Sequence, residues 1–288
     1  MHKALKHRGI KRLWAPMVTT DGAGVTLRRS IGTGTVSHLD PFLLFDHFGS
    51  SNPEEYIAGF PMHPHRGIQT VTYMLKGKIR HRDSVGNSGV IEAGGVQWMT
   101  AGSGILHEEM PEMTEGRLEG FQLWVNLRSN EKMSEPGYQE FSAVDVPLER
   151  AGDGVKVKVI AGKFDGLEGP VRGVSGAPAY FDISIKGNKA FEFELRGDRA
   201  VFGYVYRGGL KIESFDDNEA QAPEALEFKS GGDAISLRAT EDGASVLVIA
   251  GSPIREPIAR YGPFVMNTEE EIKATLEELR NGTFIKDD

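Results

Sequence analysis

Cysteine is absent from this 288-residue chain, which excludes disulfides and thiolate ligands and leaves imidazole and carboxylate as the available metal chemistry. Histidine is scarce and lopsided: all eight (His2, His7, His38, His47, His63, His65, His81 and His107) fall within the first 107 residues. The second half therefore cannot build an imidazole site. No run of 18 apolar residues occurs, so no membrane span is expected. Positive charge is also in deficit, with 33 Lys and Arg against 41 Asp and Glu, a net charge of −8 and a pI near 5.6. Nucleic-acid binders normally carry a basic footprint, so direct contact with nucleic acid is not expected. Lys3, Lys6, Arg8, Lys11 and Arg12 crowd the start, but no apolar stretch follows them. A secretory signal is thus not expected, and a cytoplasmic location is.

Glycine, in contrast, is abundant at 36 residues, and it punctuates short apolar segments. Thr26–Ile31, Phe42–Phe45, Thr70–Leu75, Ile79–Asp83, Val90–Glu92, Val96–Thr100, Ile105–Met110 and Phe121–Leu127 read as strands, most of them separated by Gly or Asn turns. Such spacing predicts an antiparallel sandwich or barrel with room inside for a ligand. A second series follows at Val155–Ala161, Ala179–Ile185, Ala190–Leu195, Val201–Tyr206, Leu210–Glu213, Ala234–Ala239 and Ser245–Ala250. Tyr73–Ile79 echoes Tyr204–Leu210, and Glu92–Val96 echoes Lys229–Asp233, which indicates a duplicated barrel. The mixed-charge stretch 129–147 reads as the connection, giving domains 1–135 and 136–288. Thr268–Glu271 forms a capping box for a helix over 268–281, with Ile272, Leu276 and Leu279 on one face and Gly282 as its stop.

Two histidine-bearing pairs stand out. In an extended strand residues two apart share a face, so His63 pairs with His65 and His107 with Glu109. Three imidazoles and a carboxylate meeting inside a barrel suit a divalent first-row metal: iron, copper, manganese, nickel and zinc are all chemically admissible. Four ligands on a six-coordinate ion leave two positions open, which favours chemistry or sensing over a structural role. Glu108 alternates outward. His38 and His47 lack an i+2 ligand partner and read as hydrogen-bonded structural residues, and His81, between Arg80 and Arg82, reads as part of a solvated strand face. The positions of the second repeat that match the two pairs fall near Glu194–Arg196 and Ala244–Val246, which cannot rebuild the site.

The runs Phe60-Pro61-Met62-His63-Pro64-His65-Arg66-Gly67-Ile68-Gln69-Thr70-Val71 and Gln97-Trp98-Met99-Thr100-Ala101-Gly102-Ser103-Gly104-Ile105-Leu106-His107-Glu108-Glu109-Met110-Pro111 resemble the pirin family of bicupins. Leu39–Asp46, Leu123–Leu127 and Gly262–Asn267 agree as well. The resemblance implies an all-β fold of two tandem cupin barrels with a short C-terminal helix, and a metal, usually iron, on His63, His65, His107 and Glu109. The site departs from the general cupin motif, in which a glutamate ligand follows His-x-His: Gln69 stands there, and it is assigned a role orienting a ligand or a bound water. Some pirins are similar to quercetinase, which opens a flavonol ring with dioxygen. That similarity implies a catalytic Glu109, both ligand and base, and an aromatic pocket walled by Phe48, Phe60, Gln69, Trp98 and Trp124. Other pirins resemble regulators of a transcription factor or a metabolic enzyme, which implies a protein partner instead. A monomer is expected, because two barrels in one chain can cover each other.

Overall fold

The structure, a computed structural model, describes residues 5–112, 116–195, 197–212 and 219–286. His2, Lys3, Arg196 and Glu213, invoked above, lie outside the described residues. Strands make up nearly all of its regular structure, with one C-terminal α-helix, as the all-β reading requires. The chain forms two units, each assembled from two separate pieces: residues 17–145 with 254–288, here the site unit, and residues 1–16 with 146–253, the companion unit.

This division differs from the expected boundary at 135/136. Strand β1 (Ile10–Trp14) pairs antiparallel with Glu224–Phe228 in the companion unit, and Pro16 separates it from β2 (Met17–Asp21) of the site unit. The expected connector contains a strand that pairs along Val96–Thr100 and extends a site-unit sheet. The terminal helix, expected with the second barrel, belongs to the first.

The site unit continues with β3 (Val25–Ile31), β4 (Phe42–Ser50), β5 (Phe60–His65), β6 (Ile68–Lys76), β7 (Lys78–Asp83), β8 (Ser88–Glu92), β9 (Val96–Thr100), β10 (Ile105–Glu112), β11 (Leu118–Asn126) and β12 (Gly137–Phe141). They form a seven-stranded sheet, ordered β12-β9-β6-β11-β4-β3-β2, and a four-stranded sheet, ordered β5-β10-β7-β8. Val25, Leu27, Phe48, Tyr56, Met74, Ile79, Ile91 and Leu118 make one apolar cluster, and Leu43, Ile68, Met99, Ala101, Ile105 and Val265 make another. The β5 strand lies at a sheet edge, where Pro61 and Pro64 leave no ladder donor missing on an inner strand.

Helix α1 (Glu269–Asn281) carries the expected capping box: Thr268 Oγ1 accepts from Glu271 N–H at 3.2 Å, and Glu271 Oε2 accepts from Thr268 N–H at 2.9 Å. Its buried face differs from the apolar pattern, since Leu279 is exposed and Thr275 is buried. The reason is Arg66, a buried guanidinium that needs polar partners. It donates to Thr275 Oγ1 at 3.1 Å, Glu278 Oε2 at 2.6 Å, Phe284 O at 3.2 Å and Ser103 O at 2.6 Å. The helix is thus tied to the residue next to His65.

The companion unit is a sheet in the order 10–14, 224–228, 200–211, 234–251, 179–185, 155–161, 148–149. The pairs of short strands expected at 201–206 with 210–213 and at 234–239 with 245–250 are single long strands, 200–211 and 234–251, the first broken in register by bulges. Its main core cluster is apolar, built around Val157, Val159, Phe181, Ile183, Val205, Val246 and Val248, with Phe164 in ring contact with Phe181, Phe191 and Phe193; the buried polar residues Arg8, Asp182 and Thr240 lie in the same unit. The duplication is visible in the backbone: Gly77 and Gly208 have φ of 73° and 61°, and Gly94 and Gly231 have 86° and 81°. Gly77, Gly94 and Gly231 stand at reversals and Gly208 at an irregularity in strand 200–211, all in a conformation that L side chains adopt with difficulty.

Candidate metal centre

Strand β5 delivers His63 and His65, and β10 delivers His107. Antiparallel register sets His107 opposite His63 and Ile105 opposite His65. A register shift between His107 and Glu109 then brings Glu109 opposite Phe60. Such irregularities re-aim side chains at sites. The result gathers three imidazoles whose ligand nitrogens all lie within 4.8 Å of one another.

Each imidazole is prepared for a cation. His63 Nδ1–H donates to Pro61 O at 2.8 Å and His65 Nδ1–H to Pro263 O at 3.3 Å, which leaves Nε2 of each ring with its lone pair. Those two Nε2 atoms face each other at 3.1 Å, close to the separation of adjacent nitrogens on one ion with bonds of about 2.1 Å. His107 is fully buried, and neither ring nitrogen has a hydrogen-bond partner. A buried polar atom left in that state costs about 1–3 kcal/mol unless a ligand satisfies it. Burial holds both His107 and His65 well below the usual imidazole range, His65 at about 3, with the neighbouring imidazoles adding to the effect. Neutral imidazole is the metal-binding form. The residues present therefore fit a mononuclear divalent metal.

Glu109 is buried in the same interior but stands outside the three-nitrogen group. Its Oε2 accepts from Gln122 Nε2 at 2.9 Å, and its Oε1 lies 2.5 Å from Thr72 Oγ1, which is also 2.7 Å from Gln122 Oε1. The hydroxyl has one proton and two acceptors. With Glu109 ionised it donates to Glu109. With Glu109 protonated, the carboxyl can donate to Thr72 Oγ1, which then donates to Gln122 Oε1. The network accommodates both states.

His81 is not on a solvated face. It is fully buried, with Nε2 3.2 Å from Asp83 Oδ2, Nδ1 3.0 Å from Gln97 Nε2, and its ring 5.3 Å from that of His107. Arg80 and Arg82, paired with Glu112 and Glu108, occupy the outer face, and strand alternation turns His81 inward. Of the other two, His47 is buried against Glu119 and Phe121, and His38 is exposed beside Ser37.

A cavity of about 530 Å³ opens beside His63, His65 and Glu109. Phe48, Phe60 and Trp124 line it, as do Leu27 and Leu44; Gln69 and Trp98, also expected there, do not. Gln69 donates to Thr100 Oγ1 at 3.1 Å, and Trp98 is fully buried on β9. The charged residues of the wall were not legible beforehand. Arg29 Nε and Nη2 grip Asp46 at 2.8 and 2.6 Å, and Nη2 also reaches Asp21 at 2.6 Å. Burial pushes the Asp46 carboxyl up to about 6, against the pull of that guanidinium. Arg260 lies over the Trp124 ring at 5.0 Å, and Trp124 meets His65 edge-on at 4.9 Å. A boundary at 135/136 puts the segment around Gly262-Pro263 in the second barrel, so nothing in the sequence points to Arg260 or the Pro263 carbonyl at this site.

The two all-β units, one holding three convergent imidazoles beside a cavity, define a bicupin with a single histidine metal-type centre. Its sequence agrees: residues 24–125 match the pirin family model and residues 180–285 match that of the pirin C-terminal cupin domain. The chain belongs to the pirin family. A Pseudomonas aeruginosa protein named as a putative quercetin 2,3-dioxygenase is 46% identical over 96% of this chain and 98% of its own length. Pirin of Homo sapiens is 41% identical over 91% of this chain and 89% of its own. A crystal structure of quercetin 2,3-dioxygenase from Acinetobacter baumannii superposes with a TM-score of 0.88 at 31% identity, covering 96% of this chain and 98% of that one.

Proposed function

We propose that this chain is an iron-dependent dioxygenase that opens the ring of quercetin or a related flavonol in its site unit. The observation that carries this reading is His107, buried with both nitrogens unpartnered, beside two imidazoles whose Nε2 atoms converge and a cavity wide enough for an aromatic substrate. An occluded centre would have favoured a redox-sensing regulator that acts on a protein partner. The cavity reaches His63 and His65 directly and favours turnover. The names and likeness of the relatives above support the same chemistry.

In this reading His63, His65 and His107 hold the metal, with Glu109 as fourth ligand. Iron at that position supplies the redox chemistry by which dioxygen enters the substrate. Phe48, Phe60 and Trp124 bind and orient the rings. Glu109 takes the proton of the flavonol hydroxyl, and Thr72 and Gln122 hold the carboxyl in place in either protonation state.

The test is oxygen uptake with quercetin on protein of measured metal content, beside a His63→Ala/His107→Ala control. Metal-dependent uptake with ring-opened product is the expected result. Full iron occupancy without uptake would overturn the catalytic reading.

A further inference from the structure

Most of the charge in the cavity wall is already spoken for. Asp21 and Asp46 share the single Arg29 guanidinium, and both also act on Arg260, though from beyond ion-pair distance. Glu109 is engaged by Thr72 and Gln122. Arg260 differs from them. Its guanidinium makes only long contacts to carbonyls, 3.3 Å to Gly262 O and 3.4 Å to Leu43 O, and no carboxylate among the described residues lies within ion-pair distance of it. It is exposed at the cavity mouth and backed by the Trp124 face at 5.0 Å. The contacts to Gly262 O and Leu43 O use Nε and Nη1 and are long, which leaves N–H groups of the guanidinium available to an anion that enters the cavity.

The geometry points to Arg260 as the specificity residue of this cavity, selecting a flat aromatic ligand that carries an ionised acid group at the end away from the histidines. The inference rests on the proposed site, and it deepens that reading by naming the class of ligand. The guanidinium lies 5.0 Å from the Trp124 ring and that ring 4.9 Å from His65, so one multi-ring ligand lying along Trp124 can reach both Arg260 and the histidines. The aromatic body would lie against Phe48, Phe60 and Trp124. Its acid group would meet Arg260 where solvent screening is partial, so one charge-assisted pair should favour the acid over a neutral isostere by about tenfold.

The probes are 3-hydroxyflavone-4′-carboxylate and its primary amide, with affinity read from tryptophan quenching under anaerobic conditions so that nothing turns over. On metal-loaded wild-type protein the carboxylate should bind about tenfold tighter. Arg260→Met should remove that preference by weakening the carboxylate alone, and Arg260→Lys should restore part of it. Equal affinities in the wild type, or a preference that survives Arg260→Met in the metal-loaded protein and vanishes without metal, would overturn the assignment, as would failure of the carboxylate to bind. Oxygen uptake with the same ligands separates the two readings. A preference without uptake removes the dioxygenase and leaves Arg260 in its role, and uptake without a preference does the reverse.

Discussion

The two units share an architecture and differ in what fills them. Inside the site unit lie His65, His81, His107, Glu109, Thr72, Gln97 and Gln122, held in hydrogen bonds or aimed at one another, and His65, Glu109 and Gln122 line a cavity. Inside the companion unit, interior positions carry Val, Ile, Leu and Phe, and the places that match the ligand pairs lead to Ala244 and Val246 in the core. A fold of this kind therefore accepts either a site or a close-packed interior, and the inward-facing residues decide which. The site unit carries buried polar groups that contribute little to stability unless each is satisfied. The companion unit gains chiefly from burial of apolar side chains.

The largest effect that separates the units should come from Glu109→Gln, which keeps the shape of the side chain and removes its charge. Turnover should fall by about 10²–10⁴-fold, a larger loss than that of metal content, because three imidazoles remain to hold the ion; unchanged turnover would remove Glu109 as the base. Next is Phe181→Ala, in the middle of the companion core. It should lower the stability of that unit by about 3–5 kcal/mol in urea unfolding and leave the iron content of the site unit as it was. Loss of metal together with that unfolding shift would mean that the two interiors are not independent.

Acid should discriminate the units more weakly. His65 has an ordinary value of 6.5 when unfolded and about 3 when folded, so the unfolded chain binds the extra proton anywhere between. Stability then rises with pH across that window and falls on acidification. Between pH 7 and pH 5 the metal-free site unit should lose about 2 kcal/mol from His65 alone. The companion unit, with no buried histidine among its described residues, lacks this contribution. A metal-free site unit equally stable at both pH values would show that His65 is not held neutral by burial.

Much of this contrast was legible beforehand. The i,i+2 pairs, the glycine turns and the absence of histidine after residue 107 located the candidate centre and the duplication. Helix α1 was readable because a capping box and a C-terminal glycine act locally. What stayed hidden was set by long-range contact. The charge of Arg80 and Arg82 suggests a solvated face for His81, whereas alternation along β7 turns it to the opposite, buried face. Arg260 and the Pro263 carbonyl reach the site only because the chain returns to the first unit after residue 253, and no local pattern announces that return. Gln69 and Trp98 carry suitable side chains for a pocket wall, but strand direction buries them elsewhere.

The most direct measurement is metal per chain, by elemental analysis, in wild-type protein and in a folded His63→Ala/His107→Ala variant, each loaded anaerobically with iron(II) and then desalted. The account predicts about one iron per wild-type chain and none in the variant, because three imidazoles in the site unit are the only such cluster among the described residues. Stoichiometric iron retained by the variant would contradict it.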